Sequence, residues 1–212
     1  LRHPWLRTVL GRRVRLLSYS LVLSCLAAGF WTPAYADACE LSVGWEPWKP
    51  YQFQNGEGEL TGLDVEILRA AVEHLDCTLA FHQLPWTRTL FEIEQGGLAT
   101  VASGADRTPE RETYAHFSQP YRTETIRLYM REDNAERFVL ENLGDIRSTG
   151  FRLGITAGYH YGDAFRNHMQ DEAFAAQVEV VRTDTQNHKK LMLGRIDGFL
   201  ATPATTAAIA RG

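Results

Sequence analysis

The chain has 212 residues, 44% of them hydrophobic, with 17 glycines against 8 prolines, enough apolar material for a globular core. Its formal charge is −4, but five arginines sit in residues 1–36, a stretch without acids; the remainder holds 17 basic and 26 acidic residues, a balance of −9. No basic stripe remains to meet nucleic acid, and the seven scattered histidines and the absence of zinc-type cysteine spacing give no support for a metal site.

In chain order, Arg12, Arg13 and Arg15 precede an apolar run from Leu16 to Trp31, and Ala34-Tyr35-Ala36 places small residues for cleavage. This tripartite pattern predicts a secretory signal peptide over residues 1–36, cut after Ala36; an uncleaved membrane anchor is the rival reading. Cys25 leaves with that segment. Cys39 and Cys77 remain, an even pair in an oxidising compartment. Each directly precedes a strand-like run, Glu40 to Trp45 and Thr78 to His82, and neighbouring parallel strands bring their starts close enough for a disulfide.

Between these runs, Asn55 to Glu59 reads as a polar turn, and Gly62 to Leu75 carries apolar residues at helical spacing: Leu63, Ile67, Leu68, Ala71, Val72 and Leu75. Asp64 suits the start of that helix. A second helix is expected from Trp86 to Gln95, ended by Gly96-Gly97, then a short strand over Ala99–Ala102. Thr108-Pro109 predicts another helix start, with Arg111 in its first turn. A cation there opposes the helix dipole and asks for compensation, which an anion held jointly by guanidinium and helix amides would supply. A surface arginine paired with Glu110 or Glu112 is the plainer alternative.

Glu124 to Arg131 reads as a long strand and Glu132 to Arg137 as a loop. Alternation then resumes: a helix near Leu140–Ile146, a strand over Phe151–Thr156, a helix near Gly162–Met169, a strand over Val178–Val181, a helix capped by Asp184 and running to Leu193, and a strand over Ile196–Leu200. Strands alternating with helices predict parallel sheets flanked by helices, in two similar α/β lobes: residues 37–125 and 126–212.

Leu41 to Gly44 with Pro47 and Pro50-Tyr51, Leu60 to Ile67, Leu84-Pro85-Trp86, Thr108 to Arg111, Phe117 to Tyr121, Leu153 to Gly158 and Gly194 to Asp197, in that order and spacing, resemble the family 3 extracellular solute-binding proteins, the periplasmic amino-acid receptors of ABC importers. The resemblance implies the type II periplasmic-binding-protein fold: two α/β lobes with a solute held in the cleft between them. It also implies a return crossing that would finish lobe 1, a segment not contained in the 212 residues. By position, Arg111 would hold a ligand carboxylate, and Trp86 with Trp48 or Tyr51 would form apolar walls. Gly104 and Asp106 would supply polar contacts, Gly158, Tyr159 and His160 would form the facing loop, and Thr202 would stand where amino-acid receptors place an acid for the ligand ammonium. Asp106 in place of a hydroxyl residue, Ala99 in place of an aspartate and Thr202 in place of an acid depart from the family pattern.

The expectation is a monomeric periplasmic binding protein with a small, polar, carboxylated, amino-acid-like ligand, a membrane permease as partner, and no cofactor, metal or nucleic acid. Two alternatives remain. One is a prephenate- or arogenate-type dehydratase on the same fold, with Asp106, Glu46 or His160 as acid. The other is the sensing domain of a membrane receptor.

Overall fold

A computed structural model describes residues 39–211; the signal-peptide reading of residues 1–36 lies outside them. The first sheet comprises β1 (Cys39–Trp45), β4 (Cys77–Gln83) and β5 (Val101–Ala102), all parallel in the order β4-β1-β5. The register pairs Cys39 with Cys77, and the two are joined by a disulfide with Cα atoms 4.5 Å apart. Between β1 and β4 lie a small hairpin, β2 (Phe53–Gln54) and β3 (Leu60–Thr61), and helix α1 (Leu63–Val72). The polar turn closes the hairpin: Asn55 Oδ1 accepts from the Glu57 and Glu59 amides at 3.0 and 2.9 Å. Helix α2 (Trp86–Gln95) follows β4 and ends at Gly96, whose φ of 65° is the left-handed cap expected there.

The second sheet, ordered β6-β9-β7-β8, contains β6 (Arg127–Met130), β7 (Leu153–Thr156), β8 (Val178–Val181) and β9 (Gly198–Ala201). Phe151, Leu153, Phe174 and Ile146 are almost fully buried and anchor its core. Helices α3 (Glu132–Arg137), α4 (Ile146–Thr149), α5 (Asp163–His168), α6 (Glu172–Ala175), α7 (Asp184–Met192) and α8 (Pro203–Ala210) complete this half. The two α/β halves meet through the segment following Tyr121.

Several expectations are corrected. β6 runs antiparallel to β9, so this sheet is mixed rather than wholly parallel. Residues 132–137 are helical, not a loop: Arg131 grips Asp133 at 2.9 Å, and Asn134, buried, donates to the Asp197 carbonyl at 2.8 Å. The stretch near 140–146 is a 3-10 turn (Leu143–Asp145) leading into α4, not a continuous helix. Thr108-Pro109 opens only the three-residue 3-10 turn Arg111–Thr113, with the Arg111 amide donating to Thr108 Oγ1 at 3.3 Å. So short a turn has no substantial dipole, and its start supplies no helix-end site for an anion. Asp184 is the first residue of α7, while Thr183 caps it by accepting from the Gln186 amide at 3.3 Å. On α1, Leu63 is exposed and the buried pair is Asp64 and Val65.

Candidate functional site

A cleft opens between the two halves, lined from the first by Glu46, Trp48, Gln52, Trp86, Gly104, Asp106 and Arg111, and from the second by Tyr159, His160 and Thr202, with Glu124 and Ile126 on the connecting segment. Nine residues named from the sequence, Glu46 among them as a candidate acid, therefore share one cavity. Tyr51 does not line it; the ring is buried behind Trp48, with centroids 4.6 Å apart. Gly158 acts from the rim through its carbonyl.

Arg111 is buried. Its Nη1 donates to the Asp106 carbonyl at 2.8 Å and its Nη2 to the Gly158 carbonyl at 2.8 Å, so one guanidinium bridges both halves. It also lies 5.8 Å from the Trp86 ring. Asp106, which stands where the family has a hydroxyl residue, meets Arg111 through its backbone oxygen and not its carboxylate. Two carbonyl bonds leave guanidinium N–H groups for a further acceptor. The Trp86 indole Nε1 donates to the same Gly158 carbonyl at 3.0 Å. Gly158 has φ of 75°, and a Cβ there would stand 3.0 Å from the Trp86 ring, so this close approach favours glycine.

Glu46 is buried at the end of β1. The residue before α2 is Pro85, which caps nothing by side chain; instead Glu46 Oε2 accepts from the Trp86 amide at 3.0 Å and satisfies a free helix-end donor. Burial pushes the Glu46 carboxyl up to about 7, against the pull of that amide and with help from Asp184 across the cleft. Asp184 is also buried, and its carboxyl is raised by burial while Thr156 and Trp48 draw it down. The Thr156 hydroxyl donates to Asp184 Oδ1 at 2.6 Å. The Tyr159 hydroxyl, packed near both acids, has its pKa raised by burial and then by Asp184 and Glu46. Its ring meets Trp48 edge-on at 6.0 Å.

Thr202 reaches the cleft but its hydroxyl is spent within α8: it accepts from the Thr205 amide at 3.3 Å and bonds Thr205 Oγ1 at 3.0 Å. The acids that reach the cavity are Glu46, Asp106 and Glu124. Thr202→Ala is expected to cost about 1 kcal/mol of stability through the lost cap, read as a lower melting temperature, with affinity for a charged solute changing less than about threefold, because its hydroxyl already serves the helix. Asp64, expected to serve its helix start, instead pairs with Arg122 through both oxygens at 3.2 and 3.3 Å. Gln52, Glu124 and Ile126 join the cavity without being among the candidates the sequence offers. For Glu124 and Ile126 a signal existed: residues two apart in an extended run point to one side.

The cavity measures about 40 Å³. A water needs about 10–15 Å³ on this scale, so the closed arrangement holds a few waters and not an amino acid.

A family model, "Bacterial extracellular solute-binding proteins, family 3", matches residues 41–206. The L-cystine-binding protein TcyJ of Escherichia coli (strain K12) is 26% identical over 161 residues, 76% of this chain and 58% of that protein. The putative ABC transporter arginine-binding protein 2 of the same strain is 25% identical over 186 residues, 87% of this chain and 71% of that one. Among solved structures, an ancestral arginine-binding protein bound to arginine superposes with a TM-score of 0.67 at 21% identity, covering 81% of this chain and 74% of that one. The ancestral amino acid-binding protein AncCDT-1, a precursor of cyclohexadienyl dehydratase, superposes with a TM-score of 0.63 at 20% identity, covering 81% and 74%. The chain thus spans little more than half the length of TcyJ, and these structural likenesses establish the two-lobed fold. Because the family match runs from β1 into α8 and takes in both walls of the cleft, the chain belongs to the bacterial extracellular solute-binding proteins of family 3.

Proposed function

We propose that the protein captures a small, carboxylated, amino-acid-like solute in this cleft and delivers it to the membrane permease of an ABC importer. Residues 1–36 act as a signal peptide cleaved after Ala36, and residues 37–125 and 126–212 form the two lobes of a periplasmic monomer. The observation that carries this reading is Arg111: a buried guanidinium shared between lobes, with donors to spare, suits a carboxylate. Glu46 faces the same cavity as partner for an ammonium, between the aromatic walls of Trp48, Trp86 and Tyr159. The binding of cystine or arginine named for similar proteins supports the amino-acid class. A cavity of about 40 Å³ requires the lobes to part before a solute enters, the hinge motion of two-lobed binders.

Titrating the protein with free amino acids, and with their methyl esters as controls, follows the fluorescence of Trp48 and Trp86. The expected result is saturable binding of a free acid and loss of binding on esterification; equal binding of acid and ester overturns the reading. One observation favours a second reading. A carboxyl held near pKa 7 beside a carboxylate anchor has the poise of a general acid. Release of phenylpyruvate from added prephenate would establish a dehydratase.

A further inference from the structure

Another guanidinium, that of Arg122, is enclosed quite differently from Arg111. Its central carbon lies 3.9 Å from the Tyr51 ring, 5.0 Å from Trp48 and 5.7 Å from Tyr121. Nε and Nη2 donate to the two oxygens of Asp64, and Nη1 is ion-paired with Glu124. The Arg122 side chain is 13% exposed and that of Asp64 not at all. Gly104, at φ 71°, closes the back: a Cβ there would stand 2.6 Å from Arg122 Nη2 and 2.6 Å from the Trp48 ring. Aromatic faces combined with paired carboxylates are what a protein offers a bound guanidinium. Here the chain fills that box with its own side chain.

Two walls of the box, Trp48 and Glu124, also line the cleft. The occupant of the box therefore acts on any solute. Trp48 already has a cation near its ring, so its quadrupole is less available to a second one. The Glu124 charge is compensated from behind. Both effects weaken the cleft's attraction for a basic group, while Arg111 keeps its attraction for a carboxylate.

We propose that Arg122 is a specificity-determining residue: an internal guanidinium that occupies the box behind Trp48 and makes the cleft discriminate against amino-acid-like solutes with a cationic side chain, in favour of neutral ones. The proposal rests on the amino-acid reading above. Dissociation constants for L-arginine, L-lysine, L-glutamine and L-leucine, measured calorimetrically on the wild type, Arg122→Ala and Arg122→Gln, test it. The wild type is expected to bind a neutral amino acid at least about tenfold tighter than arginine, the scale of one cation–π contact in a desolvated site. Both variants should narrow or reverse that ratio. Methylguanidinium chloride at low millimolar concentration should raise the melting temperature of Arg122→Ala above that in equal sodium chloride, and leave the wild type unchanged.

A wild type that prefers arginine, or variants that keep the wild-type ranking, overturn the proposal. If Arg122→Ala does not fold, Arg122→Gln and the wild-type ranking decide it. If no amino acid binds any of the three proteins, the amino-acid reading fails and the specificity claim falls with it. Intact amino-acid binding without methylguanidinium rescue instead overturns the internal-guanidinium box alone.

Discussion

Arg111→Ala is expected to weaken binding of a carboxylated solute about a hundredfold, a loss of about 3 kcal/mol from a charge-assisted contact in a desolvated site. The side chain does two jobs at once. It offers N–H groups to the cleft, and it bonds the Asp106 and Gly158 carbonyls on opposite sides of it. Its removal leaves those two oxygens without these donors, so the melting temperature of the solute-free protein should also fall. Arg111→Lys separates the two jobs. It keeps the charge but loses the planar fork, so it should retain part of the affinity for the carboxylate and lose the bridge between lobes. Calorimetric titration of the wild type and both variants with the same free acid provides the check. Unchanged affinity in Arg111→Ala would remove the anchor assignment.

Glu46→Gln should move stability and binding in opposite directions. The folded-state pKa of about 7 stands above the ordinary 4.5, so between these values the folded protein holds more proton at this site than the unfolded chain does. The stabilisation from protonating Glu46 is thus fully present below about pH 4.5 and is lost as pH rises through about 7. Glutamine accepts the Trp86 amide without having to ionise. The variant should match the wild type in acid and exceed it above pH 7, by an upper bound of about 3 kcal/mol from the size of the shift. Asp184 is shifted in the same direction by burial and gives both proteins a residual slope of the same sign, so the difference between them reports Glu46 together with its coupling to Asp184. Binding of a solute ammonium needs the ionised carboxylate: wild-type affinity should fall as pH drops through about 7, and Glu46→Gln should bind more weakly at pH 8. Urea unfolding and calorimetry across pH 5–8 separate the two signs. A variant less stable than the wild type at pH 8 would contradict a carboxyl destabilised by burial.

The parts of the fold legible in the sequence are those fixed by local chemistry. Helix α2 runs over its expected residues because Pro85 and Gly96 punctuate it. The Cys39–Cys77 bond follows from two strand starts that pair in register. The resemblance to the family 3 solute-binding proteins, rather than local chemistry, marks Arg111, Trp86, Trp48 and Tyr159, and the four meet in one cavity. Elements held by distant partners are not legible locally. Residues 132–137 look like a polar loop until the Asp197 carbonyl receives the Asn134 amide. The direction of β6 is invisible locally because antiparallel pairing with β9 joins segments some seventy residues apart.

Within the site, residue type and spacing along the chain determined which groups were available: a guanidinium, aromatic rings, and carboxylates on loops that follow strands. Only tertiary structure decided their states. It sent Asp106 to Arg111 through a carbonyl, spent the Thr202 hydroxyl on a helix end and turned Asp64 toward Arg122. It also buried Glu46 far enough to hold its proton near neutrality. Charge and hydrogen-bond partnership depend on burial and on groups that approach from elsewhere in the chain, and neither quantity is a property of a residue and its immediate neighbours.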